Sequence, residues 1–168
     1  DPFPVGEGRR LPEPVEPREP ELGADGVGLF RTEFFLLNRK SEPSEEEQFS
    51  AYKQVAELFG ERPVTIRTFD IGGDKEVSYL GIRKEENPFL GLRGIRLCLK
   101  RKDLFKRQLR AILRAGVYGN LRIMYPMVAL EEEVREANAV LEEAKNELRA
   151  EGKEFEDAPV GMMVETPA

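Results

Sequence analysis

The sequence predicts an α/β fold built on a parallel sheet. Short apolar segments alternate with amphipathic helical stretches, in the order strand, helix, strand, helix, strand, helix, strand. Parallel neighbours need a crossover long enough to hold a helix, so this alternation is the signature of successive βα units. Charged residues also crowd the positions where the apolar segments stop. In parallel α/β folds, ligands bind on that side.

Residues 1–22 stand apart, because LPEPVEPREPE sets proline at nearly every third position. Proline blocks helix hydrogen bonding, so this stretch reads as a linker or poorly ordered arm, with the ordered domain over 23–168. GADGVGLF opens that domain, and Val27, Leu29 and Phe30 suit a mostly buried strand. In SEPSEEEQFSAYKQVAELFG, Ser44 and Glu47 form a capping box, and Phe49, Tyr52, Val55, Ala56 and Phe59 recur at helical spacing up to Gly60. Pro63 opens a second strand, VTIRTF. After a charged loop over 70–90, GLRGIRLCL and KDLFKRQLRAILRAG read as helical, with Leu104, Phe105, Leu109, Ile112 and Leu113 as the buried stripe. LRIMYPMV is a third strand, ended at or just after Pro126. EEEVREANAVLEEAKNELRAEG is a long helix with Val134, Ala137, Leu141, Ala144 and Leu148 on one face, and PVGMMVETP over 159–167 is a fourth strand. Cys98, among Ile95, Leu97 and Leu99, reads as a buried thiol, and the four methionines as core.

Two architectures fit this order, an open doubly wound sheet and a (β/α)8 barrel. A full barrel takes about 200 residues or more, so 168 residues with four strands would hold part of one.

Composition removes several function classes. With 26 Lys+Arg against 32 Asp+Glu, the net charge of −6 argues against a broad nucleic-acid surface. No apolar run approaches membrane-spanning length and the start lacks signal-peptide order, which makes cytoplasmic the default compartment. One cysteine excludes a disulfide framework, and the absence of histidine removes Ser-His, Cys-His and phosphohistidine chemistry. GVGLFR lacks the third glycine of a dinucleotide fingerprint, and no GxxxxGK[ST] occurs.

The strand ends carry what remains. The first supplies Arg31, Thr32 and Glu33, the second Arg67, Asp70, Asp74 and Lys75, and the fourth Glu165 and Thr166. Two arginines from adjacent strands can fork onto one phosphate or carboxylate. Gly72 and Gly73 permit close backbone approach or a positive φ. Glu165 is a hard oxygen donor suited to Mg²⁺ that also touches a phosphate. Taken singly, either arginine fits a structural ion-pair network equally well, Arg31 with Glu33 as its close acidic neighbour, while Glu165 fits a solvated or bridged carboxylate and Asp70 and Lys75 a closed loop. Their coincidence at one face favours an anion site.

GADGVGLFRTEFFLLNR, RTFDIGGDKE, KEENPFLGLRGIRLCL, LRAILRAG, LRIMYPMV and VGMMVETP together resemble enzyme I of the bacterial sugar phosphotransferase system, in its phosphoenolpyruvate-binding barrel. IGGDK with KEENPFLGLR sets it apart from the related pyruvate phosphate dikinase and phosphoenolpyruvate synthase. The resemblance implies a partial (β/α)8 TIM barrel of about four βα units that binds phosphoenolpyruvate and Mg²⁺. The phosphoryl group would pass to a histidine on the N-terminal domain of the parent enzyme, a homodimer, and then to the carrier HPr for sugar uptake. Matched residue by residue, Arg31 and Arg67 would hold the phosphoryl group, Lys75 and Arg93 would lie near it, and Glu165 would bind Mg²⁺. Against the pattern, the family's first strand is not recognisable. Its second Mg²⁺ carboxylate, carboxylate-binding arginine and acid cysteine would lie past Ala168. The resemblance therefore places no catalytic residue in this chain and implies a catalytically incomplete fragment. A dikinase or synthase relative, or a non-catalytic anion-binding or dimerising barrel fragment, are the alternatives.

Overall fold

A computed structural model describes residues 23–37, 41–72 and 91–167. The proline-rich segment and the loop residues Gly73, Asp74 and Lys75 lie outside the described residues. Four strands, β1 (Val27–Phe30), β2 (Val64–Arg67), β3 (Leu121–Tyr125) and β4 (Val160–Met162), alternate with helices α1 (Glu45–Phe59), α2 (Ile95–Lys100), α3 (Lys102–Ala115) and α4 (Glu131–Ala150).

All three strand pairings are parallel and the spatial order is β1-β2-β3-β4. A doubly wound sheet reverses its order at a switch point between halves. Here each strand sits beside its sequence neighbour, and α1 packs on α3 and α3 on α4. One continuous helix layer over one run of strands is the wall of a barrel, so the second architecture holds.

Strand alternation sorts the side chains between the two faces. Val64 and Ile66 of β2 and Leu121, Ile123 and Tyr125 of β3 are buried under the helices. The register pairs Thr65 with Arg122 and Arg67 with Met124, so these residues share the opposite face. That face is the barrel interior, and Arg67 enters it because Ile66 belongs to the core.

The helices form for the reasons their spacing suggests. Ser44 Oγ accepts from the Glu47 N–H at 3.2 Å while Glu47 Oε2 accepts from the Ser44 N–H at 2.7 Å, closing the capping box of α1. Leu104, Phe105, Leu109, Ile112 and Leu113 are all buried, as are Ala137, Leu141, Ala144 and Leu148. Phe49 and Val134 pack at the margin of the core, and Val140 joins it.

Three expectations need correction. β1 is half-buried rather than mostly buried, because its pairing among the described residues is with β2 alone. β2 stops at Arg67 and β4 spans Val160–Met162 rather than 159–167, since the chain leaves the ladder to form loops. The methionines are not core. Met124, Met127 and Met163 are partly exposed and Met162 is 53% exposed, Met124 lying on the face away from the helices. Cys98 is buried as expected, and burial pushes its thiol well above the usual range.

Ion pairs tie the helix layer together. Arg110 of α3, 6% exposed, meets Glu45 of α1 at 2.7 Å, Glu147 of α4 at 3.3 Å and Glu151 at 2.7 Å. Arg114 meets Glu45 at 2.6 Å and lies 4.2 Å from the Phe49 ring centroid. Hydrogen bonds from Arg110 and Lys153 pull the Glu151 carboxyl from 4.5 to about 2. Burial pushes Glu45 up, but hydrogen bonds from Arg110 and Arg114 outweigh it and leave the carboxyl below its ordinary value.

A carboxylate with a depressed folded-state pKa stabilises above its unfolded value and loses that contribution as pH falls through the folded one. The network's contribution is therefore complete above 4.5 and disappears toward about 2. Urea midpoints measured across that window should fall with pH in the wild type and fall less in Arg110→Met. Independently, Ile112→Ala should lower the unfolding free energy by about 2–5 kcal/mol in the same titration, through lost transfer energy and a residual cavity.

Candidate anion site at the carboxyl ends of the strands

Arg67, the last residue of β2, is only 6% exposed. Its Nη2 donates to Glu33 Oε1 at 2.5 Å and its Nη1 lies 3.4 Å from Asp70 Oδ2. Glu33 sits in the single 3-10 turn Glu33–Phe35 just after β1, which carries its carboxylate across to the neighbouring strand end. Asp70 also receives Arg93 on both oxygens, Nε to Oδ1 at 2.9 Å and Nη2 to Oδ2 at 3.1 Å. A buried guanidinium is tolerated only when carboxylates replace its water, and Glu33 and Asp70 do so. Two guanidiniums and two carboxylates leave this quartet formally neutral. Arg67 Nε is buried with no hydrogen-bond partner among the described residues.

Arg93 reaches Asp70 because three loops stack. Gly72 has φ +145°, and a Cβ there would stand 2.5 Å from the Leu92 carbonyl oxygen, so no other residue lets the two segments cross. Gly94, at φ +56°, donates its N–H to the Ile71 carbonyl at 3.3 Å and packs where a Cβ would meet Met127 at 2.8 Å. The Ile95 N–H donates to the Pro126 carbonyl at 3.2 Å, adding the loop after β3. In that loop the Met127 N–H donates to Glu165 Oε1 at 2.8 Å, and Thr166 Oγ1 donates to the Val128 carbonyl at 2.6 Å. Met163, just past β4, accepts from Arg67 Nη1 through its sulfur at 3.8 Å.

Arg67 and Arg93 thus share one carboxylate, and Glu165 joins the same end of the sheet. Arg31 behaves differently. Phe30 pairs with Ile66, so Arg31 and Arg67 leave their strands at the same level. The Arg31 side chain is exposed, makes no ion pair with the described residues, and borders a groove along β1 and α1. Lys75 lies outside the described residues. The pairing of Arg31 with Glu33 weighed from sequence does not occur, because Glu33 serves Arg67.

A magnesium ion bound together with a phosphate takes one or two carboxylates and completes its shell with phosphate oxygens and water. Glu165 fits that demand: it is exposed, and one of its oxygens is held by a backbone N–H. Among the described residues no group of three or more acidic or cysteine side chains forms a closed metal cage. What the sequence reading missed is the polar layer beneath the site, where Gln108, Thr32 and Tyr52 are all fully buried. Its signal was Gln108 itself, a polar residue inside the Leu104–Leu109–Ile112 stripe.

Removing one member of a buried pair strands the other. Glu33→Leu should lower stability by about 3–5 kcal/mol, and adding Arg67→Met should recover a large part of it, both read from urea unfolding.

Comparison with known proteins shows the family to which this fold belongs. Residues 12–168 match the family described as PEP-utilising enzyme, PEP-binding domain, a match that reaches into the proline-rich segment. The chain is 57% identical over 149 residues to a phosphoenolpyruvate-protein phosphotransferase of Priestia megaterium, covering 88% of this chain and 26% of that protein. A protein of the same name from Staphylococcus aureus matches at 57% over the same shares. Another, from Geobacillus stearothermophilus, matches at 56% over 147 residues, 87% of this chain and 25% of the relative. The chain spans about a quarter of the length of these curated relatives. On this match and on its wall of parallel βα units, the chain belongs to the PEP-utilising enzymes and carries their PEP-binding domain.

Proposed function

We propose that this chain supplies part of the phosphoenolpyruvate site of a phosphoenolpyruvate-protein phosphotransferase. The observation that carries the reading is the guanidinium pair Arg67 and Arg93, fixed on Asp70 at the carboxyl ends of parallel strands, with a buried Arg67 N–H left to satisfy. An orphaned guanidinium N–H in a nearly dry site is a donor that a phosphate oxygen can meet. The names of the relatives, phosphoenolpyruvate-protein phosphotransferase, support phosphoenolpyruvate as the phosphate carrier.

In this reading Arg67 and Arg93 are preset donors for the phosphoryl oxygens. Their positions are held before the ligand arrives, so little reorganisation accompanies transfer. Because the quartet with Glu33 and Asp70 is neutral, attraction for the anion comes from Arg31, exposed at the same level, and from Lys75. Glu165 would hold Mg²⁺, which supplies charge neutralisation on the phosphate when bound. The chain has no histidine, so the accepting imidazole belongs to a histidine-bearing N-terminal domain of the parent enzyme. From there the group passes to HPr for sugar uptake, in the cytoplasm and in a homodimeric parent. The chain's own task is to bind the donor, align its phosphorus–oxygen bond and keep the departing enolate's charge matched.

Calorimetric titration with phosphoenolpyruvate and Mg²⁺ tests the reading. Arg31→Ala should weaken binding about tenfold or more while changing stability by less than about 0.5 kcal/mol, because that side chain is exposed and makes no ion pair with the described residues. Arg67→Ala should abolish binding and lower stability together. Equal binding by wild type, Arg31→Ala and Arg67→Ala, or no binding by any, contradicts the site.

A further inference from the structure

Beneath the site runs a chain of buried polar groups that anion binding does not itself use. Gln108, midway along α3, accepts at Oε1 from the Phe69 N–H at 3.0 Å. Its Nε2 donates to Thr32 Oγ1 and to Tyr52 Oη, each at 3.1 Å. Thr32 Oγ1 donates in turn to the Arg67 carbonyl at 2.8 Å, and Tyr52 Oη donates to Gln48 Oε1 at 3.4 Å. The directions are forced. A backbone N–H can only donate, so the amide oxygen must face Phe69 and the amide nitrogen must face the two hydroxyls. Burial also pushes the Tyr52 phenol well above its ordinary value, which keeps that proton in place.

We infer that Gln108 is a positioning residue for the anion site. It locks the exits of β1 and β2 to each other and so sets where Glu33, Arg67 and Asp70 stand. Glu33 follows Thr32 directly and Asp70 follows Phe69, so the clamp grips the backbone one residue from each carboxylate. It also grips where the sheet stops helping. The β1–β2 register is irregular between Val27 and Phe30, and its last pair is Phe30 with Ile66. Beyond that pair, the Thr32 hydroxyl is the link from the β1 exit to the Arg67 backbone. A leucine would fill the same place in the stripe without burying a polar amide. A misplacement near 1 Å can cost a site up to ~10²-fold in performance. This inference rests on the anion-binding reading above.

The test uses the full chain with Gln108→Met, Gln108→Glu, Thr32→Val and Thr32→Ser. Two quantities are read: hydrogen exchange of the Phe69 amide by NMR, and the Kd for phosphoenolpyruvate with Mg²⁺. Gln108→Met should release Phe69 protection selectively and weaken binding about tenfold or more. Thr32→Val should weaken binding likewise, and Thr32→Ser should restore it. For Gln108→Glu, the ratio of its Kd to that of wild type should fall as pH is lowered, because only the protonated acid can donate to Thr32. Wild-type affinity with intact Phe69 protection in Gln108→Met overturns the inference, as does a Thr32→Ser variant no better than Thr32→Val. Should Gln108→Met fail to fold, the two Thr32 variants and the Gln108→Glu profile decide. If the wild type binds no phosphoenolpyruvate, the anion reading falls, and unchanged Phe69 exchange in Gln108→Met then separately overturns the clamp.

Discussion

Taking a guanidinium out of water costs several kcal/mol unless carboxylates stand where the water stood, and Arg67 is almost wholly out of water. Much of this end of the molecule is arranged around that demand. Glu33 must come from the exit of β1 and Asp70 from the loop after β2, so both exits have to be held in place. Asp70 in turn holds Arg93, whose segment reaches it only because Gly72 and Gly94 allow close crossing. The loop after β3 then stacks on that segment and presents a backbone N–H to Glu165. Arg67 is thus the point at which four strand ends become one surface.

Charge balance explains why the arginines differ in character. Arg67 and Arg93 are partnered and positioned, and their neutrality with Glu33 and Asp70 makes the site stable without a ligand. Such a neutral cluster orients an anion but does not attract it strongly. Arg31 is exposed and level with Arg67, and in the proposed site it would supply net charge without a fixed geometry. In binding sites, preset charges fix the position of a ligand and exposed ones raise encounter rate and affinity, the division proposed for Arg67 and Arg31. Far from the site, the Arg110 and Arg114 network does no such work. It joins α1, α3 and α4 and keeps the helix layer in register behind the strands.

Much of the fold was legible because it depends on local rules. The capping box at Ser44, the α3 stripe and the stop at Pro126 follow from residue spacing alone and appear as expected. The methionines and β1 misled because their burial depends on what lies across the sheet, which apolar character does not reveal. At the site, Arg93 came forward only through the family resemblance, whereas Arg67 and Glu165 stood out as charges at strand ends. Which acid serves which arginine did not. Glu33 is two residues from Arg31 in sequence, yet the 3-10 turn after β1 swings it to Arg67. Gln108 was visible as a polar break in an apolar stripe, but its partners are 39 and 76 residues away and only the fold joins them.

In the proposed site, Arg67 and Arg93 would grip a phosphate beside a metal held at Glu165. Crystals of the chain grown with phosphoenolpyruvate and Mn²⁺ in place of Mg²⁺ would examine it most directly. A phosphate so held should show density within about 3 Å of both guanidiniums, with an anomalous manganese peak beside Glu165. Ligand density elsewhere, or a manganese peak with Glu165 bonded only to Met127, would contradict it.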